Sequence, residues 1–283
     1  MAVVLSGKDV AAALNEKLKT ETADLKAAGV EPTLAILRVG ERDDDLSYER
    51  GATKRAESVG VAVKNVVLPA DCAQEELETA FKGINEDDSV HGILMFRPLP
   101  EQLDDKPIVA AMDPAKDIDG ITIGSAAGVY MNSGMGFAPC TAQACMEILD
   151  YYDIDPRGKR AAVIGRSLVI GRPVGMMLMH KNATVTICHT KTVDMPSVTR
   201  EADIVIVAAG RMETIGAEYF SEGQTVIDVG IGWNEEKQKL CGDVIFEEAE
   251  PIVARITPVP GGVGSVTTSV LISHVIDSAK KFA

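Results

Sequence analysis

The sequence predicts an α/β protein of two domains, and three features of it predict this. Apolar strand-like runs alternate with helix-periodic runs through the first half of the chain. Loop segments rich in glycine and aspartate interrupt that alternation, after which it resumes. In the second half, the apolar run Val163-Ile164 enters a glycine-punctuated turn, Gly165-Arg-Ser-Leu-Val-Ile-Gly171-Arg-Pro173, that opens a helix. Strands alternating with helices imply parallel, right-handed α/β layers, and 283 residues leave room for two cores.

Val10 to Ala28 has helical spacing and is closed by Gly29, Thr33 to Val39 reads as a strand, and Ser47 to Val59 as a second helix closed by Gly60. Val61 to Leu68 is strand-like and Gln74 to Asn85 helical, and Gly92 to Phe96 is a short strand stopped by Arg97-Pro98-Leu99-Pro100. Asp113 to Gly124 and Asn132 to Phe137 read as loops and place the domain junction. A helix is predicted from near Thr141 to about Tyr152. Strands at Arg160 to Ile164, Thr184 to Cys188, Ile204 to Ala208 and Thr225 to Val229, with a helix from Pro173 to His180, then make a Rossmann-like domain. The last helix, Val266 to Lys280, is apolar on more than one face through Val270, Leu271, Val275 and Ile276. It is predicted to be buried and to cross back onto the first domain. The predicted domains are therefore 1–137 with 266–283, and 138–265.

Hydrophobic content of 46% with 25% charge is that of an ordered globular protein. A formal charge of −14 argues against a nucleic-acid partner, because neutralising phosphates needs clustered Lys and Arg. The five cysteines show no CxxC pair and read as reduced thiols in a cytoplasmic protein. Met1 to Lys8 is too short an apolar run for a signal peptide and no stretch suits a membrane helix, so no membrane partner is expected. Asp43-Asp-Asp45 reads as a solvated loop supplying one N-cap, and no metal is expected. Cys140 and Cys145 read as packed thiols, His91 and His274 as structural, and His180 as a cation suited to a helix end.

Backbone N–H groups and the helix dipole behind the Gly165 turn favour a pyrophosphate, with an ordinary βα turn as the alternative. The second strand of this domain ends Ile187-Cys188-His189-Thr190-Lys191, without the acid that would bind a free ribose 2′-hydroxyl. With Arg166 inside the turn, NADP is favoured; an Arg166 turned outward leaves NAD open. Ser167 stands where GxGxxG has its second glycine, which points to a particular subfamily.

Tyr48 in a helix, Pro98-Leu-Pro100, Lys116-Asp-Ile-Asp119-Gly120, Pro139-Cys-Thr141, the Gly165 turn, Val226-Ile-Asp-Val-Gly-Ile231, Gly242-Asp-Val244 and Pro258-Val-Pro-Gly-Gly-Val-Gly264 follow one another over nearly the whole chain. In that order they resemble the methylenetetrahydrofolate dehydrogenase/cyclohydrolase family of FolD type. The resemblance implies an N-terminal folate domain, a C-terminal NADP domain, a cleft between them, and a homodimer. Family members oxidise 5,10-methylenetetrahydrofolate with NADP⁺ and usually hydrolyse the methenyl product to 10-formyltetrahydrofolate. Carried over by position, Tyr48 would line the folate ring and Asp119 would hydrogen-bond the pterin, the two forming the catalytic pair. Pro98, Leu99, Pro260 and Gly261 would face the tetrahydrofolate substrate. Gly165, Arg166, Ser167, Thr190 and Ile231 would contact NADP, with Thr267 near the nicotinamide. Thr184 to Cys188 and Val205 to Ala208 are the two candidate strand seams of a dimer.

The chain leaves the family pattern at one pair of positions. Bifunctional members carry a lysine four residues after the tyrosine and a glutamine two residues before Pro-Leu-Pro; here Ala52 and Phe96 stand there. Lys54 lies about 120° around the helix from Tyr48, and Arg55 shares its face but about 10 Å along the axis. Strand alternation turns Arg97 away from Phe96 unless Pro98 bends it back. The leading expectation is an NADP-dependent dehydrogenase with cyclohydrolase activity lost or strongly reduced. A fully bifunctional enzyme, with water or a displaced Lys54 replacing the base, and a non-catalytic NADP- or folate-binding protein are the alternatives.

Overall fold

The computed structural model describes residues 1–282. Along the first half run β1 (Val3–Val4), α1 (Gly7–Ala27), β2 (Thr33–Val39), α2 (Asp43–Ser58), β3 (Ala62–Leu68), α3 (Gln74–Asn85), β4 (Gly92–Met95), α4 (Lys106–Ala111) and α5 (Ile123–Met131). The second half continues with α6 (Cys140–Tyr151), β5 (Arg160–Ile164), α7 (Gly171–His180), β6 (Thr184–Cys188), α8 (Met195–Arg200), β7 (Ile204–Val207), β8 (Thr225–Asp228), β9 (Gly232–Asn234), β10 (Lys239–Cys241), α9 (Phe246–Ala249), β11 (Arg255–Ile256) and α10 (Thr267–Ala279). The chain divides into two units: Ala13–Cys140 with Thr268–Ala283, and Met1–Ala12 with Thr141–Thr267.

In the first of these, a three-stranded parallel sheet is ordered β3-β2-β4, with Leu34 opposite Gly92 and Val63. Central β2 is buried along almost its whole length, which is why it reads as an unbroken apolar run. Leu77, Phe81 and Ile84 form the buried stripe of α3 and close a core with Ala35, Leu37, Val39, Ile93 and Ile108. Gly92 lies against Ile118 and Val275, where an added Cβ would collide with both.

The second unit holds a six-stranded parallel sheet in the order β1-β11-β8-β7-β5-β6. Its core joins Ala162, Ile164, Val205, Val207, Val226 and Ile256. The strand order reverses at β5, which has β6 on one side and β7 on the other. The carboxyl ends of strands at such a switch point are where open α/β sheets place their ligands.

Several expectations change. Residues 1–12 belong with the six-stranded unit and not with the first domain, because Val3 and Val4 pair in parallel with Arg255 and Ile256. Helix α2 starts at Asp43, so the acidic run is its first turn rather than a solvated loop, and Asp45 is buried. Acids in a first turn complement the helix dipole. Helices α4 and α5 occupy stretches with no predicted element; α5 is capped by Thr122, whose hydroxyl accepts from the Ser125 N–H at 3.0 Å. Of the two candidate seams, β7 is paired on both sides and only β6 keeps an open edge. Among the described residues no helix is long and apolar enough to cross a membrane.

Candidate active site

The motif Lys116-Asp-Ile-Asp119-Gly120 shows how the fold presents one side chain. Lys116 is buried, its ammonium donating to the carbonyls of Asn85 and Asp87 at 2.8 Å each. Buried Asp117 accepts from the N–H groups of Ile121 at 2.9 Å and Thr122 at 2.7 Å and from the Ser125 hydroxyl at 2.6 Å. Ile118 is also buried, and its carbonyl accepts from His274 Nδ1 at 2.8 Å and from the Cys140 thiol at 3.2 Å. Gly120 has φ of +68°, and an added Cβ would strike the Pro139 backbone. With its neighbours held, Asp119 is left half-buried. Burial pushes its carboxyl up to about 6, against the thiol and backbone N–H of Cys140 and the Arg97 guanidinium, which favour the charged form; Asp117 opposes it.

Tyr48 stands beside that carboxylate. On α2 the buried face runs Asp45, Ala52, Ala56, with Glu49 on the same side forming a 2.6 Å ion pair with buried Arg38. Tyr48 is one residue around from this face, keeps 39% of its surface exposed, and meets Phe96 edge to face at 5.8 Å and 83°. Burial raises the pKa of its hydroxyl, and Cys140 and Asp119 raise it further. Among the described residues no cation hydrogen-bonds or ion-pairs with that hydroxyl. Ala52 is fully buried and Lys54 exposed. Arg97 pairs with Asp105 at 3.2 Å and acts on Asp119, so it does reach the side where Asp119 lies. Pro98 is held through its carbonyl by Arg42 at 3.0 Å, and Leu99 packs on the core.

In the other unit the turn after β5 lies at the sheet's switch point. Gly165, φ +124°, donates to the Cys188 carbonyl at 2.9 Å, and an added Cβ would run into the Ala208 carbonyl. The Ser167 hydroxyl accepts from the Ile170 N–H at 3.0 Å, and residues 166–169 are exposed. Thr190 and Lys191 are exposed at the end of β6, and His189 Nδ1 accepts from the Lys191 N–H at 3.1 Å. Arg166 makes no ion pair among the described residues. Ile231 is 60% exposed. Gly261, φ +103°, accepts from the Gly7 N–H at 2.8 Å; Pro260 precedes it, and the Thr267 hydroxyl donates to the Gly264 carbonyl at 3.2 Å. The predicted residues therefore fall into two groups: Tyr48, Pro98, Leu99 and Asp119 in one unit, and the glycine-turn residues with Thr190, Ile231, Pro260, Gly261 and Thr267 in the other.

Two family models match nearly the whole length: the catalytic domain of tetrahydrofolate dehydrogenase/cyclohydrolase over residues 5–119, and its NAD(P)-binding domain over residues 139–283. The chain belongs to this family. A tetrahydrofolate dehydrogenase/cyclohydrolase relative, the bifunctional protein FolD of Carboxydothermus hydrogenoformans, is 50% identical over 99% of this chain and 98% of its own. FolD of Clostridioides difficile is 45% identical over 98% and 96%. Among solved structures, the bifunctional FolD of Campylobacter jejuni superposes with a TM-score of 0.95 at 38% identity over 100% of both chains. The Trypanosoma brucei enzyme, solved with NADP and an inhibitor, gives 0.90 at 35% identity over 99% of this chain and 98% of its own.

Two side chains near Asp119 do not read as site residues from the sequence. Cys140 reads as a packed thiol because no base neighbours it in sequence, and His274 as a structural imidazole because it falls in an apolar helix pattern. The fold brings them to 3.9 Å across 134 positions, beside Asp119.

Proposed function

We propose that this protein is an NADP-dependent methylenetetrahydrofolate dehydrogenase whose cyclohydrolase step is lost or strongly reduced. The observation that carries it is the surroundings of Tyr48: the Phe96 ring on one side, fully buried Ala52 one turn away, and no cation on the hydroxyl among the described residues.

Oxidation of the methylene bridge moves a hydride out while the adjacent ring nitrogen's lone pair closes the C=N bond. No proton changes place, so the protein has to supply geometry rather than an acid or base. Asp119, ionised and accepting, suits the two N–H donors on the amino-pyrimidine edge of a pterin. Tyr48 and Phe96 offer aromatic surface to the ring, with Pro98 and Leu99 behind them. Hydrolysis of the methenyl product is different, because attacking water must lose a proton. Burial holds the Tyr48 phenol protonated, and Asp119 is committed to the pterin.

The residues of the Gly165 turn fit a dinucleotide. Gly165 and Gly171 leave no room for a Cβ, which keeps the backbone close and its N–H groups open to a pyrophosphate. Exposed Arg166, which makes no ion pair among the described residues, with Thr190 and Lys191 and no acid at the end of β6, suits a 2′-phosphate. Ile231 and Thr267 would border the nicotinamide end. When bound, NADP⁺ supplies the hydride acceptor. Strand β6, the open edge, is the seam through which a homodimer would form.

The bifunctional alternative is favoured by the names of the 50% and 45% identical relatives. One pair of assays separates them. NADPH appearance from 5,10-methylenetetrahydrofolate tests the dehydrogenase. Methenyltetrahydrofolate supplied to the protein should disappear little faster than in buffer, and rapid hydrolysis overturns the loss of the second step. Arg166→Ala should raise KM for NADP⁺ far more than for NAD⁺; equal losses overturn the phosphate assignment.

A further inference from the structure

We propose that Asp228, Asp243 and Thr257 are positioning residues that hold the cofactor loop after β8 in register with the substrate loop after β11. This rests on the reading that Ile231 borders the nicotinamide and that Pro260 and Gly261 face the folate.

Two motifs of the sequence, Val226-Ile-Asp-Val-Gly-Ile231 and Gly242-Asp-Val244, interlock here. Asp228, the buried last residue of β8, accepts through Oδ1 from the N–H groups of Gly230 at 3.1 Å and Asp243 at 3.2 Å, and through Oδ2 from that of Val244 at 3.0 Å. Asp243, also buried, accepts in turn from the Gly210 N–H at 2.8 Å, in the turn that follows β7. Each carboxylate lies on the other motif's glycine: a Cβ on Gly242 would strike the Asp228 carboxylate, and one on Gly230 the Asp243 carboxylate. Neither glycine has a left-handed φ, so both are glycine for space alone.

The Asp228 N–H donates to the Thr257 hydroxyl at 2.8 Å, and the Thr257 N–H donates to the Val226 carbonyl at 3.1 Å. Thr257 is fully buried and follows β11 directly, at the entry to the Pro258–Gly264 loop. Strands β7, β8 and β11 are neighbours in the sheet, so one cluster fixes the loops that leave three adjacent strands at their carboxyl ends, where an open α/β sheet places its ligands. Two neighbouring buried carboxylates, neither in an ion pair among the described residues, cost stability that an apolar strand end would not. What they supply is geometry: a carboxylate accepts several backbone N–H groups at once, which no apolar side chain can do. Ile231 stands three residues past Asp228 and Pro260 three past Thr257, so both loops are anchored close to the groups they present. Hydride transfer depends steeply on such placement.

The test compares Asp228→Asn, Thr257→Val and Thr257→Ser with wild type in the full-length protein, and uses Phe220→Leu, a core change in the same unit, as the control for lost stability. The readouts are kcat, KM for 5,10-methylenetetrahydrofolate and for NADP⁺, the fluorescence emission of bound NADPH, and the urea midpoint. Assays run at about pH 8, above the value of about 7 to which burial pushes Asp228. Asp228→Asn keeps one acceptor oxygen but turns an amide NH2 toward a backbone donor, and Thr257→Val removes the acceptor of the Asp228 N–H. Each should lower kcat about tenfold, the scale of a sub-ångström misplacement, with both KM values within about threefold of wild type. Thr257→Ser keeps the hydroxyl and should recover most of kcat. The emission of bound NADPH should change in Asp228→Asn and Thr257→Val and match wild type in Thr257→Ser and Phe220→Leu. An unchanged kcat in Asp228→Asn and Thr257→Val, equal losses in Thr257→Val and Thr257→Ser, or a kcat that tracks the urea midpoint through Phe220→Leu overturns the assignment. Wild type that binds NADPH but oxidises no 5,10-methylenetetrahydrofolate overturns the dehydrogenase instead. The emission of bound NADPH across the same variants then decides the role of the cluster, and emission unchanged in Asp228→Asn and Thr257→Val rejects it.

Discussion

In the folate-binding role proposed for Asp119, its ionisation sets the pH response of the site. Its carboxyl is pushed up to about 6, so below that pH it gains an O–H donor where the pterin edge needs an acceptor. In initial-rate measurements kcat/KM for the folate substrate should therefore fall as pH drops below about 6, by about tenfold per unit, while kcat changes less. Asp119→Asn removes the charge and one acceptor, and should raise folate KM on the order of ten- to a hundredfold at neutral pH. Ala52 and Phe96 carry a second prediction. Position 52 is fully buried, so Ala52→Lys places an ammonium with no partner against a packed face and should give little cyclohydrolase activity. Ala52→Lys with Phe96→Gln supplies that partner and removes the ring from Tyr48, and should give more. Equal methenyltetrahydrofolate hydrolysis by the single and double variants excludes the coupling. At this scale sequence motifs reached Tyr48, Asp119, Ala52 and Phe96, because each lies at a fixed spacing within one short segment. His274 escaped because its bond to the Ile118 carbonyl spans 156 positions, which no local pattern encodes.

The helix that carries Tyr48 is set by charge as well as by apolar packing. The small residues Ala52 and Ala56 let α2 approach the sheet closely, and the Arg38–Glu49 pair, with side chains 7% and 15% exposed, locks it against β2. Arg38 Nη1 also donates to the Gly40 carbonyl, so the end of β2 and the start of the following turn share the same guanidinium. Arg38→Met leaves Glu49 buried without its cation and should cost about 3–5 kcal/mol, whereas Arg38→Met with Glu49→Leu should cost less than the single change. Urea unfolding measures both, and a double variant as unstable as the single one contradicts the role of the pair. Elements with a full period were legible: β2, β5, β6 and α3 end where their sequence patterns end. The two-residue strands β1 and β11 are too short to show any period, and Val3 and Val4 are exposed, so nothing in the first residues announced a pairing with the far end of the chain. Helix α5 was missed for the opposite reason: Gly124 and Gly128 suggest a loop, yet Gly128 serves a close approach to the Met135 backbone that a side chain would block.

Over the whole molecule the acid–base balance is set by buried carboxylates rather than by surface pairs, which are worth little each. The larger such effect is at Asp228, which accepts from the N–H groups of Gly230 at 3.1 Å, Asp243 at 3.2 Å and Val244 at 3.0 Å. Burial nevertheless pushes it up to about 7, and the neighbouring Asp243 adds to the rise. Its unfolded value is about 3.9, so between about pH 4 and 7 the folded state binds more protons than the unfolded one. Stability from this group is therefore greatest below about pH 4 and is lost as pH rises through about 7, with a slope of up to about 1.4 kcal/mol per pH unit. Asp119 acts in the same direction in the other unit, up to about pH 6. Asp194 and Glu213, whose pKa values are lowered by hydrogen bonds from Ser197 and Lys237, act oppositely, losing their contribution as pH falls below the ordinary carboxylate range. The single tryptophan, Trp233, lies on β9 in the same unit as Asp228, so its fluorescence follows the unfolding of that unit. In urea titrations between about pH 5 and 8 the midpoint should fall with rising pH, and Asp228→Asn, neutral throughout, should flatten the fall. A midpoint that rises across this window, or a slope unchanged in Asp228→Asn, contradicts the assignment of the proton to Asp228.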